Sequence, residues 1–166
     1  MPRRTVLTAS AVAAVAAVGL GPGALWSLFG PADLGSVDFA TLVRRTSPND
    51  ALAAAPDLTP ARADLTPPEF AARAPALRAA LGAALQTEPR VQRVATDDDA
   101  LMDRYVQRTA LLRFPDTVVV QFFDRPGGRS TVAMYSRSLV GRSDLGANRA
   151  RIERWLGKLA ALVPAA

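Results

Sequence analysis

The chain has 166 residues, of which 49% are hydrophobic and 21% are charged, a composition typical of a globular protein with one domain and a short extension. It contains neither cysteine nor histidine, which excludes disulfides, thiolate chemistry, cysteine-based metal sites and a Ser-His-Asp triad. The formal net charge of +5 is a mild basic excess and does not indicate a nucleic-acid partner. We predict no cofactor and no metal site.

Residues 5–29 carry no charge and directly follow the pair Arg3-Arg4. A helix over this range would be about 37 Å long, enough to cross a hydrocarbon core of ~30 Å. We therefore expect residues 1–30 to anchor the chain in the cytoplasmic membrane of a bacterium, with the N-terminus inside and the domain on the periplasmic side. The break at residues 21–23 also fits a cleaved signal peptide that releases the domain into the periplasm. A buried core helix is the third alternative.

Residues 31–66 are interrupted repeatedly by proline, which leaves no room for a long helix or strand. We predict a Pro-rich linker with short ordered pieces, such as residues 37–43, and a turn at residues 47–50. The globular domain is then expected to span residues 67–162.

Helix and strand patterns follow one another within this domain. Apolar residues at helical spacing predict a helix over residues 76–86, with Pro75 in its first turn. Four strands are then predicted, with a hairpin turn at residues 124–128. They cover residues 90–95, 102–114, 117–123 and 130–137.

A last helix is predicted to begin after Ser143 or Asp144, either of which can cap it. Its expected apolar stripe consists of Leu145, Ile152, Leu156, Leu159 and Val163, with Trp155 at the edge and Arg151 off the stripe. The order helix, four strands, helix predicts an α+β fold. We expect two layers, a roughly four-stranded antiparallel sheet and two main helices, preceded by a single N-terminal transmembrane or signal helix.

The run over residues 135–151 reads Tyr-Ser-Arg-Ser-Leu-Val-Gly-Arg-Ser-Asp-Leu-Gly-Ala-Asn-Arg-Ala-Arg. It resembles the signature of the domain of unknown function (DUF) 1499 family: a Ser-Arg-Ser strand end, a Gly-x-Ser-Asp-x-Gly-x-Asn turn and an Arg-x-Arg helix. Arg113-Phe114-Pro115-Asp116 and Arg108-Thr109 also resemble that family. The resemblance covers roughly residues 67–160, and because the family has no known activity, it implies none here.

The signature has an architectural interpretation. Glycines permit a sharp connection between strand and helix, short polar side chains cap the helix, and Arg137 is expected to pair with Asp116 or Asp144. The residues that carry either this role or a ligand site are Arg113, Asp116, Ser136, Arg137, Ser138, Gly141, Ser143, Asp144, Gly146, Asn148 and Arg151.

The functional interpretation places a ligand site at the same strand-to-helix corner. Arg113 and Arg137 are expected to be adjacent on antiparallel strands, beside hydroxyl and amide donors. A glycine-containing loop that opens a helix suits an anion. We therefore predict a non-catalytic envelope domain that binds a small anionic or amphiphilic ligand, such as a lipid.

Two other functions stay open from the sequence. A structural or protein-partner module would need an exposed apolar patch, for which Val119 and Phe123 on the outer face of the sheet are the candidates. A hydrolase-type enzyme would need carboxylate or serine chemistry, with Asp116 and Asp144 as the candidate carboxylate pair.

Overall fold

A computed structural model describes residues 32–166, so our predictions for residues 1–30 lie outside the described residues. Neither helix found within residues 32–166 is long and apolar enough to cross a membrane. The elements in chain order are β1 (Asp50–Ala53), α1 (Ala74–Gln86), β2 (Val91–Asp97), β3 (Met102–Arg108), β4 (Pro115–Arg125), β5 (Arg129–Ser138) and α2 (Ala147–Leu162), with 3₁₀ turns at Phe39–Thr41 and Pro126–Gly128.

The strands form one antiparallel five-stranded sheet in the order β1-β5-β4-β3-β2. The predicted α+β class with two helices is confirmed, but the predicted strand count of four is wrong. The fifth strand, β1, lies within the segment that we interpreted as a linker. It has four residues between Pro48 and Pro56, which is too short for its alternation to be recognised in the sequence.

One face of the sheet packs against both helices. Val118, Val120 and Phe122 point to this side, as their spacing in the sequence predicted. The centre of this core is Trp155, whose ring meets that of Tyr105 edge-on, with centroids 5.6 Å apart. The apolar residues that α1 and α2 contribute are Leu77, Leu81, Leu85, Ile152 and Leu159.

The other face of the sheet is covered by the chain that precedes α1. Val119, Ala133 and Tyr135 pack there against Phe39 and Leu42, all of them buried. Further contacts come from Val37, Leu58, Ala61 and Ala63. The helices and the sheet are therefore joined by a third, irregular layer, which the prediction of two layers did not include.

Two sequence predictions on the last helix are wrong. Leu145 is 95% exposed because α2 begins only at Ala147, which leaves Leu145 in the preceding loop. Arg151, expected off the apolar stripe, is buried, and Trp155 takes the central position rather than the edge. The buried side of α2 also includes Asn148. Because this side is partly polar, a prediction from apolar residues alone places the buried side of the helix incorrectly.

Strand β3 is shorter than predicted, since it ends at Arg108. Thr109 and Phe114 close the loop that follows, through a backbone bond of 3.0 Å and a bond from the Phe114 N–H to Thr109 Oγ1 of 3.0 Å. Arg113 in this loop has a φ of 57°, which lies in the left-handed region. Because strand residues have a negative φ, no strand continues through this position. The predicted strand was too long because the apolar residues of this loop have the composition of a strand.

Phe39→Ala tests whether the irregular layer belongs to the cooperative fold. Phe39 is 1% exposed, and we expect its truncation to lower the free energy of unfolding by about 3 kcal/mol, because it leaves a cavity against the sheet. Val43→Ala is the control, since Val43 is 86% exposed and should change stability by less than about 0.5 kcal/mol. Equal, small effects of both variants in urea unfolding would contradict the packing.

Candidate functional site

A buried ion pair joins α2 to β4. The Nη2 atom of Arg151 contacts the carboxylate of Asp116, and the two side chains are 5% and 3% exposed. Arg151 Nε donates to Gln107 Oε1 at 2.7 Å, and Nη1 donates to Ser136 Oγ at 2.8 Å and to Asn148 Oδ1 at 2.6 Å. A buried guanidinium is tolerated only when it is paired and hydrogen-bonded in this way.

Asn148 connects this ion pair to the end of β5 and to the turn before β1, the strand at one edge of the sheet. Its Nδ2 atom donates to Ser138 Oγ and to the backbone carbonyl of Asn49, each at 2.9 Å, and its Oδ1 atom accepts from Ser136 and Arg151. The amide thus makes all four hydrogen bonds of which it is capable. Ser136, Ser138, Asn148 and Arg151 therefore satisfy one another, and we call them, with Asp116 and Gln107, the buried polar network.

The network continues to a buried carboxylate behind α1. Glu88 accepts from Arg154 at 2.8 Å, from Lys158 at 2.9 Å and from Gln107 at 3.3 Å. Burial alone would raise the pKa of Glu88, but the hydrogen bonds and charges of Lys158 and Arg154 outweigh it and lower the pKa to about 2. Glu88 therefore stays ionised and fixes the middle of α2 to the end of α1.

The loop before α2 is held by its own short side chains. Asp144 accepts from the backbone N–H of Asn148 at 2.7 Å and of Gly146 at 3.0 Å, so it satisfies a free N–H of the first turn, although the N-cap residue is Gly146 and not Ser143 or Asp144 as predicted. Ser143 Oγ accepts from the N–H of Leu145 at 3.2 Å. Gly146, with a φ of 83°, permits the tight entry into α2. The loop's polar groups are thus engaged with its own backbone.

Gly141 ties the same loop to the turn before β1. Its backbone carbonyl accepts from Asn49 Nδ2 at 2.8 Å, and its φ of 98° is one that glycine adopts without strain. Asn49 is buried, and its Oδ1 atom has no hydrogen-bond partner from residue 32 onward. The turn at residues 47–50 is thus part of the corner, which its place in the sequence did not show.

The two arginines that we expected side by side are apart. The register pairs Arg137 with Thr117 on β4, whereas Arg113 lies in the exposed loop before that strand. The predicted pairing of Arg137 with Asp116 or Asp144 is also wrong. Because successive side chains on a strand point to opposite faces, Arg137 lies behind the sheet while its neighbours Ser136 and Ser138 join the network.

Arg137 has a different environment from the rest of the signature. Its Nη2 atom donates to the backbone carbonyl of Gly35 at 2.5 Å, and its guanidinium carbon lies 5.3 Å from the ring centroid of Tyr135. Its Nε atom is buried and has no hydrogen-bond partner in the described part of the chain. Burial lowers the pKa of Arg137, and the charges of Arg45 and Arg104 lower it further.

A groove of about 730 Å³ lies elsewhere, between α1 and the strands β2 and β3. On α1 the residues Ala79, Gly82 and Ala83 lie at the spacing i, i+3, i+4, which puts small side chains on one side of the helix. This groove was not predicted, although the spacing of Ala79, Gly82 and Ala83 can be seen in the sequence. The remaining lining residues are Pro75, Arg78, Leu85, Gln86, Val91, Arg93, Thr96, Asp98 and Tyr105.

The polar groups of the groove are not equivalent. Arg78 is engaged with Asp98 at 2.9 Å and with Asp103 at 2.8 Å. Arg93 makes no ion pair within residues 32–166, although its guanidinium interacts with the Tyr105 hydroxyl. Burial and the neighbouring Asp103 raise the pKa of Tyr105, so its hydroxyl stays protonated.

A protein-family model matches most of this fold. The model describes a protein of unknown function (DUF1499) and covers residues 43–159, from the turn before β1 almost to the end of α2. The chain belongs to this family. No curated protein and no solved structure matches the chain. The DUF1499 match includes β1, in agreement with the place of that strand in the sheet.

The carboxylates considered for catalysis in the DUF1499 domain are separately engaged. Asp116 is paired with Arg151, and Asp144 accepts two backbone N–H groups at the start of α2. In the part of the chain from residue 32 onward, no group of three or more acidic side chains is placed to hold a metal ion. The geometry therefore assigns Asp116 and Asp144 to the architecture of the corner.

Asn148→Ala tests the buried polar network. The substitution leaves buried partners on β5 and in the turn before β1 without their hydrogen bonds, so we expect the free energy of unfolding to fall by about 3 kcal/mol. Arg149→Ala is the matched control on the same helix, because Arg149 is 53% exposed and bonds only to Glu153 on its own helix. We expect a change below about 0.5 kcal/mol for the control. Similar values for both would refute the network's role.

Glu88→Gln tests the buried carboxylate through its pH dependence. Because folding lowers the pKa of Glu88 from 4.5 to about 2, its contribution is complete above pH 4.5 and is lost as the pH falls toward 2. We expect this contribution to the free energy of unfolding to be about 3 kcal/mol. Unfolding measured between pH 5 and pH 2 should show a shallower slope for the variant than for the native chain. Parallel curves would contradict the assignment.

Proposed function

We propose that this DUF1499 domain is a non-catalytic module that binds a small amphiphilic anion in the groove between α1 and the strands β2 and β3. The observation that carries the proposal is the groove itself. Its volume of about 730 Å³ lies within the range of roughly 300–1,000 Å³ that small-molecule sites occupy. It lies beside the hydrophobic core, and its lining includes the charged residues Arg78, Arg93 and Asp98.

The lining suits a ligand with an apolar body and a charged end. Ala79, Gly82 and Ala83 offer a smooth wall of small residues, against which an acyl chain or a ring can lie. Arg93 is the cation available for a carboxylate or phosphate, and it lies beside the Tyr105 hydroxyl, which itself donates to Asp103 at 3.3 Å. Arg78 is less available, because two aspartates already accept from it.

The groove supports this proposal better than the strand-to-helix corner does. At the corner, the side chains of the buried polar network accept and donate among themselves. A ligand there would have to break these bonds, at a cost of about 1–3 kcal/mol for each buried group left unpaired. We therefore propose the ligand site at α1 and the adjacent sheet edge, and not at the signature as the sequence predicted.

We further propose that residues 5–29 hold the domain at the outer side of a bacterial cytoplasmic membrane. The support is the absence of charge in residues 5–29 and the arginine pair before them. A domain tethered in this way is close to lipids and to amphiphiles that leave the membrane. This position agrees with the mixed apolar and cationic lining of the groove.

A protein-partner module was expected to use an exposed apolar patch on the outer face of the sheet, and the described part of the chain does not have that patch there. Val119 is fully buried and Phe123 packs in the same cluster, because residues 37–63 cover that face of the sheet. An apolar docking patch on that face is therefore not available. No observation on the site residues favours an enzyme over a binding module.

Gly82→Leu tests the groove. A Cβ atom at Gly82 would meet nothing within 4 Å, so the longer side chain is expected to enter the groove without disturbing the core. Because leucine favours a helix more than glycine, stability should be equal or higher, by up to about 1 kcal/mol. Gly157→Leu is the control, since Gly157 lies on α2, does not line the groove and has equally open space.

The measurement is purification of the full chain from its native membranes, followed by mass spectrometry of the small molecules that remain bound. We expect the native chain and Gly157→Leu to retain the same anionic amphiphile, and Gly82→Leu to retain at least about tenfold less. Equal retention by both variants would contradict the proposal. Absence of any bound small molecule from the native chain would contradict it as well.

A further inference from the structure

Arg137 is a buried cation that makes no ion pair with a carboxylate among residues 32–166. The residue is 7% exposed, its Nη2 atom donates to the neutral carbonyl of Gly35, and its Nε atom donates to nothing. Nε and Nη2 form one edge of the planar guanidinium, the edge that binds both oxygens of a carboxylate or phosphate. Half of this edge is therefore unused, and the other half contacts an uncharged oxygen.

The surroundings of Arg137 have an excess of positive charge. Arg45 and Arg104 are close enough to repel it electrostatically, and Asp33 is the carboxylate that attracts it. Asp33, however, accepts from Arg104 Nε at 2.7 Å. Arg45 reaches the adjacent strand end, where its Nη1 atom donates to the Ser138 carbonyl at 3.1 Å. Three guanidinium groups thus surround this place, and the two neighbouring carboxylates, Asp33 and the cross-strand residue Asp50, are already bound by Arg104 and by Arg44.

Residues 33–36 cover this place, and we call them the strap. The strap is held by polar contacts: the N–H of Leu34 donates to Thr117 Oγ1 at 2.8 Å, and Ser36 Oγ contacts Met102 Sδ at 3.0 Å. The ion pair of Asp33 with Arg104 and the hydrogen bond from Arg137 to the Gly35 carbonyl hold it as well. Gly35 has a φ of 78°, and its Cα faces open space. Few apolar contacts hold the strap, so its displacement costs less than opening the core.

We propose that Arg137, with Arg45, binds a phosphate group beneath the strap. A phosphate that replaces the Gly35 carbonyl would accept from both Nε and Nη2 of Arg137, and it would neutralise a buried charge that is otherwise unpaired. The lowered pKa of Arg137 agrees with this deficit of negative charge. The site is behind the sheet and is therefore independent of the groove beside α1.

A purely structural role makes a different prediction for Arg137. In that role the residue only holds the strap through Gly35 and stacks on Tyr135, and phosphate has no effect on it. The signal that separates the two roles is the N–H of Arg137 Nε. It has no acceptor in the structure and should gain one when phosphate binds.

The test uses the full chain labelled with ¹⁵N-arginine in dodecyl maltoside, a detergent without phosphate. One arm adds inorganic phosphate, and the other adds phosphatidylglycerol to the micelles. We expect the Nε–H resonance of Arg137, assigned by its absence in Arg137→Lys, to shift and saturate in at least one arm. A response to phosphate alone identifies a soluble ligand, and a response to phosphatidylglycerol alone identifies a lipid headgroup.

Variants of the surrounding charges complete the test. Arg45→Gln should weaken binding about tenfold, because one charge-assisted contact is lost, and Asp33→Asn should tighten it, because a competing carboxylate is removed. Arg113→Gln is the control, since Arg113 lies in an exposed loop and should bind phosphate as the native chain does. Arg45 is exposed, so its variant is expected to fold even if Arg137→Lys does not.

Two results would overturn the proposal. The first is an Arg137 Nε–H resonance that does not move in either arm. The second is equal phosphate affinity in Arg45→Gln and Arg113→Gln, which would place any bound phosphate elsewhere on the surface. Loss of bound amphiphile from the groove variant Gly82→Leu has no bearing on either result, so the two proposals fail separately.

Discussion

The buried ion pair between Arg151 and Asp116 is the constraint on which the corner of this fold depends. A guanidinium placed in a protein core costs several kcal/mol unless charge and hydrogen bonds compensate for it. Here the compensation comes from β4, β5 and α2 together, through Asp116, Ser136 and Asn148. The position of α2 on the sheet is therefore specified by polar geometry as well as by the packing of Trp155.

This constraint explains where a ligand site is and is not expected. The signature residues on the helix face hydrogen-bond to one another and to the Asn49 carbonyl, which leaves them little capacity for a ligand. Groups with unused capacity lie outside that network: Arg93 at the groove, and Arg137 behind the sheet. The alternation of β5 produces this separation, because it sends Ser136 and Arg137 to opposite faces.

Much of the fold could be predicted, because the spacing of apolar residues in the sequence indicates which side chains face the core. The alternation of Val118, Val119 and Val120 indicated a strand with apolar side chains on both faces, and the short polar residues before α2 indicated where that helix begins. Less of the site was predictable. The register that separates Arg113 from Arg137 depends on where β4 begins, and burial of Arg151 depends on a partner 35 residues away in the chain. Neither has a local pattern. Strand β1 was missed because a four-residue strand among prolines has no readable period.

The most direct measurement is a double-mutant cycle on the ion pair, with Arg151→Met, Asp116→Leu and the two combined, followed by urea unfolding. Each single substitution is expected to lower the free energy of unfolding by about 3–5 kcal/mol, because it leaves the other charge buried and unpaired. The combined variant should then cost at least about 2 kcal/mol less than the sum of the single losses. Small and additive losses would contradict the account, since they would show that Arg151 and Asp116 do not hold the corner together.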